Sequence, residues 1–305
     1  MLATFVIPTY RRPDVLRQCL EHLCELQPGE GPFEVRVLDN GAPETSGHVI
    51  AEFAERLNVY YVENEPGHGM GYSLGRGAEA ALGELIVELN DDALVPPDFL
   101  ARVGGLFARR PEVGVVGFRA IEEGYASDDG SIGAIDADAL TVRGNFDRET
   151  DGPVEVEHVY GFCYAYRRQL LERGGRHDKV LLAKDYSSGN RIETDHCLTA
   201  RRLGYRVIYD GTIAVVHLAK PRTDLSERSE RWRLNHLRNT LYLFLKHFGP
   251  FGRRAMALRY GLTHDVGLIS LLKRPTPANA RYFWVGLRAR GSAVGHWLLH
   301  LTVRQ

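Results

Sequence analysis

The chain has 305 residues, a length that suits one large α/β domain with an extension or two small domains. Its composition is 44% hydrophobic and 25% charged, which is ordinary for a globular protein. The formal net charge of −1 argues against a polyanionic partner, so we expect no nucleic-acid binding.

The cysteines and the N-terminus indicate where the protein resides. None of the four cysteines, Cys19, Cys24, Cys163 and Cys197, forms a C-x-x-C pair or a zinc-ligand spacing. Cys19 and Cys24 lie among helical apolar positions, so we expect reduced core thiols. The sequence shows neither a signal-peptide pattern nor a run of about 20 apolar residues. We therefore expect a cytoplasmic protein.

In chain order, strand and helix patterns alternate through the first part of the chain. Short β-rich apolar runs alternate with apolar residues at helical spacing. The expected strands cover residues 3–7, 33–37, 59–62 and 84–89, and the expected helices cover 13–24, 49–57 and 72–82. This order predicts an α/β fold with a mostly parallel central sheet and helices on both faces. Ligands bind beyond the carboxyl ends of such strands, where polar clusters occur in this chain.

The second part of the chain predicts a different organisation. Residues 121–152 are rich in Gly, Asp and Ser with little periodicity, which indicates a long loop of the kind that forms lids or binds ligands. Expected strands follow at 158–166, 205–209 and 213–216, with a helix at 193–203. Beyond residue 226 the pattern is helical almost to the end. We therefore predict a first domain of residues 1–225 and a helical C-terminal extension of residues 226–305.

Two adjacent acids, Asp91 and Asp92, follow the apolar run at 85–89. Carboxylates at the end of a buried strand are costly unless something positive neutralises them, and a hard divalent cation that also binds diphosphate oxygens would do so. The alternative is a turn or capping pair, since Pro96 begins a helix just downstream. His217 ends an expected strand and is either a nitrogen ligand to the same cation or a structural histidine.

Glu193 and Asp195 stand at the start of an expected helix. One interpretation is that both acids simply interact favourably with the positive end of that helix. The other is that one of them is a general base that deprotonates an acceptor hydroxyl. Residues two apart on a helix point in different directions, so we do not expect both to serve as the base.

Two loops carry information about nucleotide binding. The loop at residues 66–71 contains three glycines, which permit a ligand to approach the backbone closely. It is not a P-loop, because the Gly-Lys-Ser/Thr ending is absent. The loop after the first strand, residues 8–13, contains no glycine, which argues against a nicotinamide or flavin enzyme.

Seven segments, taken in order, resemble the family-two glycosyltransferases with the A-type, nucleotide-diphospho-sugar transferase (GT-A) fold. They are residues 6–12, 37–41, 64–77, 89–93, 160–168, 192–207 and His217. The stretch that contains Arg238 and Lys246 resembles the helix that follows in bacterial members. The resemblance covers roughly residues 3–250, and it implies that residues 1–225 form a transferase domain that binds a nucleotide sugar and an acceptor.

The resemblance also implies roles for particular residues. It assigns contacts with the nucleotide sugar to Pro8, Thr9, Tyr10, Arg12, Asp39, Asn64, Gly69, Arg76 and Asp91. It assigns Mg²⁺ or Mn²⁺ binding to Asp92 and His217, while Asn90 stands at the first acidic position of the metal motif. By register it assigns the base to Glu193 and a later acid to Asp195. The usual Glu-Asp pair is Glu-Thr in this chain, which leaves the choice of base open.

The reaction that the resemblance implies is an inverting transfer, in which a base takes the acceptor proton, the acceptor oxygen attacks C1 and a nucleoside diphosphate leaves. We expect a UDP-sugar donor, with a dTDP-sugar second, and a hydroxyl acceptor on a glycan, a lipid-linked glycan or a small natural product. One alternative is a nucleotidyltransferase of related fold, which would need a glycine-rich basic loop after the first strand. The other is a catalytically silent nucleotide-sugar-binding module, against which Asp92, Glu193 and His217 together argue.

Basic residues concentrate at the C-terminus, where residues 231–305 contain thirteen Lys or Arg and one acid. Arg281 and Arg288 accompany Trp284 and Leu298 in a helical stretch, which fits an interfacial helix on an anionic membrane. The same apolar residues could instead pack onto the first domain or across a homodimer, with the arginines in solvent. Peripheral membrane contact and a homodimer are therefore both expectations for this segment.

Overall fold

The computed structural model describes residues 2–27, 31–137, 141–181, 190–218, 226–248 and 267–303. The chain forms two compact units. Unit 1 comprises Met1–Ala134, Arg143–Tyr186 and Ile192–Pro221, and unit 2 comprises Ile135–Val142, Ser187–Arg191 and Arg222–Gln305. The division into residues 1–225 and 226–305 stays a prediction.

Strands and helices alternate along much of the chain. In chain order they are β1 (Ala3–Thr9), α1 (Pro13–Cys24), β2 (Phe33–Asp39), α2 (Gly47–Ala51), β3 (Val59–Glu63), α3 (Met70–Glu79), β4 (Leu85–Leu89), β5 (Ala93–Leu94), α4 (Phe99–Arg109), β6 (Val113–Glu122), β7 (Ile135–Asp136), β8 (Thr141–Val142), β9 (Val154–Glu155), β10 (Cys163–Arg167), α5 (Gln169–Glu172), α6 (Ile192–Arg202), β11 (Arg206–His217), α7 (Ser226–His247), α8 (Leu268–Lys273) and α9 (Pro277–Val303). The pair β7–β8 and the helices α7, α8 and α9 belong to unit 2, and the other elements belong to unit 1.

One large sheet organises unit 1. Its strand order is β3-β2-β1-β4-β10-β6-β11-β5, and β9 pairs with β11. The neighbours β3, β2, β1 and β4 are parallel, as are β6 and β11, whereas β10 is antiparallel to both β4 and β6. Since β4 and β6 both oppose β10, the six parallel strands share one direction. The expected α/β fold with a mostly parallel sheet is confirmed.

Helices cover both faces of the sheet because successive strand residues point to opposite sides. In β1, Phe5 and Ile7 are fully buried with the apolar residues of α1, α2 and α4. Val6, between them, is buried on the other side with residues of α3, α5 and α6. Helix α1 illustrates why the local sequence forms a helix. Pro13 begins it, Asp14 lies in its first turn, and its buried residues recur at helical spacing.

The structure differs from the sequence-based expectations at several elements. The helix expected at 49–57 covers only Gly47–Ala51. The expected loop at 121–152 begins later, because β6 continues to Glu122. The strand expected at 158–166 covers Cys163–Arg167 instead. The two strands expected at 205–209 and 213–216 form a single strand, β11, in which the Asp-Gly pair at 210–211 produces a register shift rather than a turn between strands.

The four cysteines are free thiols, which confirms the reduced state expected for Cys19 and Cys24. Cys19, Cys163 and Cys197 are buried, and burial raises the pKa of each thiol. Cys24 is partly exposed, and burial raises the pKa of its thiol as well.

In unit 2, α7 and α9 pack along each other. On α9, Ala289 and Ala293 are fully buried, and small side chains permit this close approach. The opposite side of α9 carries an exposed stripe at intervals of three and four residues, formed by Arg281, Trp284, Arg288, Gly291, Gly295 and Leu298. None of the helices in the described ranges combines the length and the apolar character that a membrane crossing requires.

Candidate active site

Polar side chains of unit 1 converge where its parallel strands end. Thr9 ends β1 and pairs with Asp39, the last residue of β2, which in turn pairs with Glu63 at the end of β3. Glu122 ends β6 opposite His217, the last residue of β11. Because the carboxyl ends of parallel strands share one edge of a sheet, this edge is where a ligand site is expected.

The acidic pair lies directly after β4, and both carboxylates are enclosed, with Asp91 1% and Asp92 7% exposed. Thr9 Oγ1 donates a hydrogen bond of 2.7 Å to Asp91 Oδ2. The Arg12 guanidinium binds both acids, with Nη1 2.8 Å from Asp92 Oδ2 and Nη2 against Asp91 Oδ1. Both acids lie in a turn, in which the Ala93 amide donates to the Asn90 carbonyl at 3.1 Å, and Arg12 reaches them from 80 residues before Asp92 in sequence.

Burial and charge separate the two acids electrostatically. Burial raises the pKa of Asp91 to about 6, and the neighbouring Asp92 charge adds to this effect while Arg12 opposes it. Burial also acts to raise the pKa of Asp92, but interactions with His217 and Arg12 outweigh it and lower that pKa to about 2. Asp92 is therefore firmly ionised at neutral pH, which is what a cation ligand requires.

His217 lies between two carboxylates. The β11–β5 pairing places it opposite Ala93, next to Asp92, and its Nε2 lies 3.4 Å from Asp92 Oδ1. Its Nδ1 lies 2.7 Å from Glu122 Oε2. Burial acts to lower the pKa of His217, but Asp92 and Glu122 outweigh it and raise that pKa. Glu122 thus fixes the ring so that Nε2 faces Asp92. Metal-binding histidines are commonly oriented in this way, by a carboxylate that binds their other ring nitrogen.

These residues fit a divalent cation that also binds substrate. Asp92 Oδ1 is buried, has no hydrogen-bond partner among the described residues and faces an imidazole nitrogen that a metal could bind in place of a proton. No group of three or more His, Cys, Asp or Glu side chains in the described ranges is arranged to hold a metal by itself. Mg²⁺ and related cations commonly take one or two protein ligands and complete their shell with water and phosphate oxygens.

The predicted donor residues occupy two environments. Asp39 is fully buried and its carboxylate accepts hydrogen bonds from the Gly41 amide (2.7 Å), the Ser46 amide (2.6 Å) and the Tyr61 hydroxyl (2.9 Å). Asp39 therefore shapes the loop after β2, and any contact with a base would use its remaining acceptor capacity. Tyr10 follows β1 directly and is 41% exposed.

A second group of donor residues surrounds the start of α3. Asn64 donates to Asn40 Oδ1 (3.0 Å) and Ser73 Oγ (2.9 Å), and its Oδ1 accepts from Arg76 Nη1 at 2.7 Å. Arg76 is exposed, so this amide fixes the direction of an otherwise free guanidinium. Gly69 precedes the first residue of α3. Pro8 is buried within β1, where only its backbone and ring atoms are available for contact with a ligand.

The two candidate bases of α6 point in different directions. A Cβ built on Gly161 would lie 3.0 Å from Glu193 Oε2, so Glu193 packs against the segment just before β10. That segment also reaches the metal-site residues, because Tyr160 donates to Glu122 (3.1 Å) and the Phe162 ring lies 4.9 Å from the His217 ring. Glu193 is partly exposed, as an acceptor-binding base must be.

Asp195 is 2% exposed and lies in the interior of unit 1. There its charge acts on His177 and His196, in a cluster around Glu88, which is itself 1% exposed. Glu88 accepts hydrogen bonds from Tyr164 (2.5 Å) and Tyr166 (2.9 Å), and its Oε1 lies 2.5 Å from His177 Nε2. Asp195 is thus more deeply buried than Glu193.

Two residues of the site are absent from the sequence-based set. Glu122 was hidden in the expected loop, and only the pairing of β6 with β11 reveals its place beside His217. Tyr160 lies in the segment 160–168, which by sequence assigns it no role of its own. In the structure its hydroxyl donates to Glu122, and its ring stacks on Tyr125 (5.8 Å) and on Phe146 (6.0 Å). An acidic residue at the end of a strand that neighbours a histidine-ending strand is the signal that could have identified Glu122.

The fold is the α/β architecture of the GT-A glycosyltransferases, and comparison with known sequences agrees. A sequence profile described as "Glycosyl transferase family 2" matches residues 4–175. The chain therefore belongs to glycosyl transferase family 2.

Individual relatives match part of the chain. Validoxylamine A glucosyltransferase of Streptomyces hygroscopicus subsp. limoneus is 31% identical over 103 residues, which cover 33% of this chain and 23% of that protein. A dolichyl-phosphate beta-glucosyltransferase of Trichomonas vaginalis is 28% identical over 131 residues, or 39% of this chain and 40% of that protein. A glucosyl-dolichyl phosphate glucuronosyltransferase of Haloferax volcanii is 23% identical, with 61% of this chain and 59% of that protein covered. The matched segments thus span from about a quarter to three fifths of these relatives.

Solved structures share the fold over most of the chain. S. aureus TarS 1–349 in complex with UDP-GlcNAc has a TM-score of 0.66 at 13% identity, covering 96% of this chain and 82% of that one. The mannosyltransferase PcManGT of Pyrobaculum calidifontis, in complex with GDP-Man and Mn²⁺, has a TM-score of 0.57 at 18% identity, covering 97% and 86%. At these identities the likeness shows the fold, which is the GT-A fold that the motifs predict.

Proposed function

We propose that this chain transfers a sugar from a nucleoside-diphosphate sugar to an acceptor hydroxyl, with inversion at C1 and with Mg²⁺ or Mn²⁺ at Asp92 and His217. The observation that carries the proposal is the enclosed acidic pair at a strand end, facing an imidazole nitrogen that Glu122 orients. Glu193 packs against Gly161, in the segment just before β10. UDP is the first nucleotide to test and dTDP the second.

In this proposal each side chain has a limited task. The Glu193 carboxylate accepts the proton of the acceptor hydroxyl, and the oxygen attacks C1 as its bond to the diphosphate breaks. The guanidinium of Arg76, held by Asn64, binds phosphate oxygens of the donor. A bound divalent cation would supply further neutralisation of the negative charge that grows on the leaving diphosphate. The Tyr160 ring contacts the His217 ring and stacks on the Tyr125 ring, so the two tyrosines shield that side of the imidazole from water.

The acceptor is proposed only as a class. The chain's relatives are named for a small natural product, validoxylamine A, and for dolichyl phosphates. A glycan, a lipid-linked glycan and a small natural product are therefore the acceptors to test. A nucleotidyltransferase of related fold would instead transfer the nucleotide itself. A catalytically silent module would bind the nucleotide sugar without turning it over.

We expect UDP with Mn²⁺ to raise the melting temperature of the protein and Asp92→Ala to abolish most of that rise. A ligand at 100 times its Kd stabilises the folded state by about 2.7 kcal/mol. The measurement is a thermal unfolding series with UDP alone, Mn²⁺ alone and both. Asp98→Ala is the matched control, because Asp98 is half-exposed and pairs only loosely with Arg102, at 3.8 Å. An equal rise in the Asp92→Ala protein would remove Asp92 from the metal site.

For unit 2 we propose peripheral contact between the exposed stripe of α9 and an anionic membrane. Trp284 is 63% and Leu298 is 52% exposed, and Arg281 and Arg288 flank Trp284 by three and four residues. An aromatic and aliphatic face with adjacent arginines suits the interface of an anionic bilayer.

The membrane proposal predicts that the protein floats with liposomes containing phosphatidylglycerol at low salt and is released at about 0.5 M salt, because salt screens exposed charges. Trp284→Ala should reduce flotation several-fold, while Tyr60→Ala, which removes a 43% exposed aromatic ring from unit 1, should not. A protein that stays unbound at low salt but doubles its mass in light scattering would assign the stripe to a homodimer instead.

A further inference from the structure

Arg12 supplies the positive charge that neutralises the enclosed acidic pair of unit 1. Its two terminal nitrogens bind two different carboxylates, Asp91 and Asp92, which are almost completely enclosed. Thr9 engages the second oxygen of Asp91. Of the four carboxylate oxygens, only Asp92 Oδ1 has no hydrogen bond within the described ranges, and it is the oxygen that faces His217.

A divalent cation that binds at this site without substrate phosphate meets Arg12 at the same carboxylate. A cation on Asp92 Oδ1 and His217 Nε2 would share one carboxylate with the Arg12 guanidinium, which holds Oδ2 at 2.8 Å. Like charges on one enclosed carboxylate repel strongly, because water cannot screen them well there. The cation and Arg12 therefore compete for Asp92.

The Arg12 side chain is also placed so that it can move away from the acidic pair. Its side chain is 44% exposed although its partners are enclosed, and it lies immediately before the first residue of α1, on a loop. The preceding residue, Arg11, has a φ of 52°, in the left-handed region that side chains other than glycine seldom adopt. A guanidinium binds phosphate oxygens with the same two-pronged geometry that it uses for carboxylates. The diphosphate of a donor is thus an alternative partner of matching chemistry.

We propose that Arg12 is an internal counter-cation that holds the acidic pair until a nucleoside diphosphate accepts its guanidinium, so that divalent metal and nucleotide bind cooperatively. This inference rests on the proposed function. Metal alone must displace Arg12 without giving it a new partner, whereas metal with nucleotide releases Arg12 to phosphate. By linkage, the same coupling makes the nucleotide bind more tightly when metal is present.

The test measures the Kd of Mn²⁺ by calorimetry, with and without saturating UDP, for the native chain and for Arg12→Ala. In the native chain we expect UDP to tighten Mn²⁺ binding by about 5- to 150-fold, the usual range of such coupling. In Arg12→Ala, Mn²⁺ alone should bind about tenfold more tightly, and the UDP effect should shrink by a similar factor. A residual effect is expected in the variant, because phosphate oxygens contact the metal directly.

Two further variants make the result specific. Arg17→Ala removes the same charge from the helix that follows, at a side chain that is 30% exposed and pairs with Asp14 and Glu52 rather than with the acidic pair. It should leave the Mn²⁺ affinity and its dependence on UDP unchanged. Arg12→Lys keeps the charge without the two-pronged guanidinium, so it should give an intermediate affinity even if Arg12→Ala folds poorly.

The outcomes separate the two proposals. If the native chain binds neither Mn²⁺ nor UDP, the proposed function fails and the inference fails with it. If both bind but Arg12→Ala leaves the Mn²⁺ affinity unchanged or weaker, Arg12 is a fixed part of the metal-bound site and only the inference is overturned. An equal gain in Arg17→Ala would show a general effect of charge, and this also overturns the inference.

Discussion

Replacement of Glu193 by Gln is expected to slow sugar transfer by about 10²- to 10⁴-fold while UDP and Mn²⁺ still bind, because a general base contributes about that much to the rate. The amide keeps the size of the side chain but cannot accept the acceptor proton. The measurement is single-turnover transfer at saturating donor, alongside the melting-temperature rise with UDP and Mn²⁺.

Asp195→Asn is the matched control, because the same chemical change is made two residues away on the same helix. Asp195 is 2% exposed and interacts with His177 and His196, so its replacement should lower stability and leave the rate of the folded enzyme within about tenfold. Loss of turnover in Asp195→Asn with normal turnover in Glu193→Gln would reverse the assignment of the base.

Gly161→Ala provides an independent test of the same assignment. The new Cβ would lie 3.0 Å from Glu193 Oε2, so the carboxylate must move while no charged group is lost. Because catalysis depends on alignment, a shift of this kind should slow transfer without weakening UDP binding.

Glu88→Gln is expected to destabilise unit 1 by about 3–5 kcal/mol, which is the usual cost of breaking a buried ion pair by removing one partner. Glu88 and the His177 ring are enclosed, and their atoms approach to 2.5 Å. Burial disfavours the charged form of both side chains, but the attraction between Glu88 and His177 outweighs burial. The pKa of Glu88 is therefore lowered and that of His177 is raised. Denaturant unfolding of both proteins at pH 6 measures the difference.

The pH dependence of this difference follows from the two pKa directions. Glu88 stabilises the fold above its unfolded pKa of about 4.3, and this contribution is lost as pH falls through its lowered folded pKa. His177 stabilises it below its unfolded pKa of about 6.5, and that contribution is lost as pH rises through its raised folded pKa. The cost of Glu88→Gln should therefore be largest between about pH 4.5 and 6.5 and smaller at pH 9.

An exposed glutamate provides the comparison for Glu88. Glu79 is 58% exposed and lies 3.4 Å from Arg176, so Glu79→Gln should change stability by less than about 1 kcal/mol. A cost below 1 kcal/mol for Glu88→Gln as well would show that Glu88 and His177 are not an ion pair.

Much of the fold was predictable because its signals are local. The alternation of apolar strands and amphipathic helices reports the order of elements, and Asp39 and Asp91 stand where strands end, so the edge of the sheet that carries the site follows from the sequence. The direction of β10 was not predictable, because an apolar run contains no information on whether its neighbour runs parallel or antiparallel to it.

The contacts that long-range pairing creates escaped prediction. Glu122 meets His217 only through the β6–β11 register, 95 residues apart in sequence. In the sequence Glu88 is one polar residue within an apolar strand, because its partner His177 lies 89 residues away. The engagement of Arg12 by both acids was equally invisible, because a loop sequence does not show where its side chains lie.

The burial of the thiols has a practical consequence for labelling. The thiolate is the form that attacks maleimides and iodoacetamides, and burial keeps Cys19, Cys163 and Cys197 protonated and out of reach. Only Cys24 is partly exposed, so a Cys24→Ser background leaves the chain without an accessible native thiol. A cysteine placed at Leu298 would then take up a fluorophore selectively and report on the surroundings of that helix while the enzyme works.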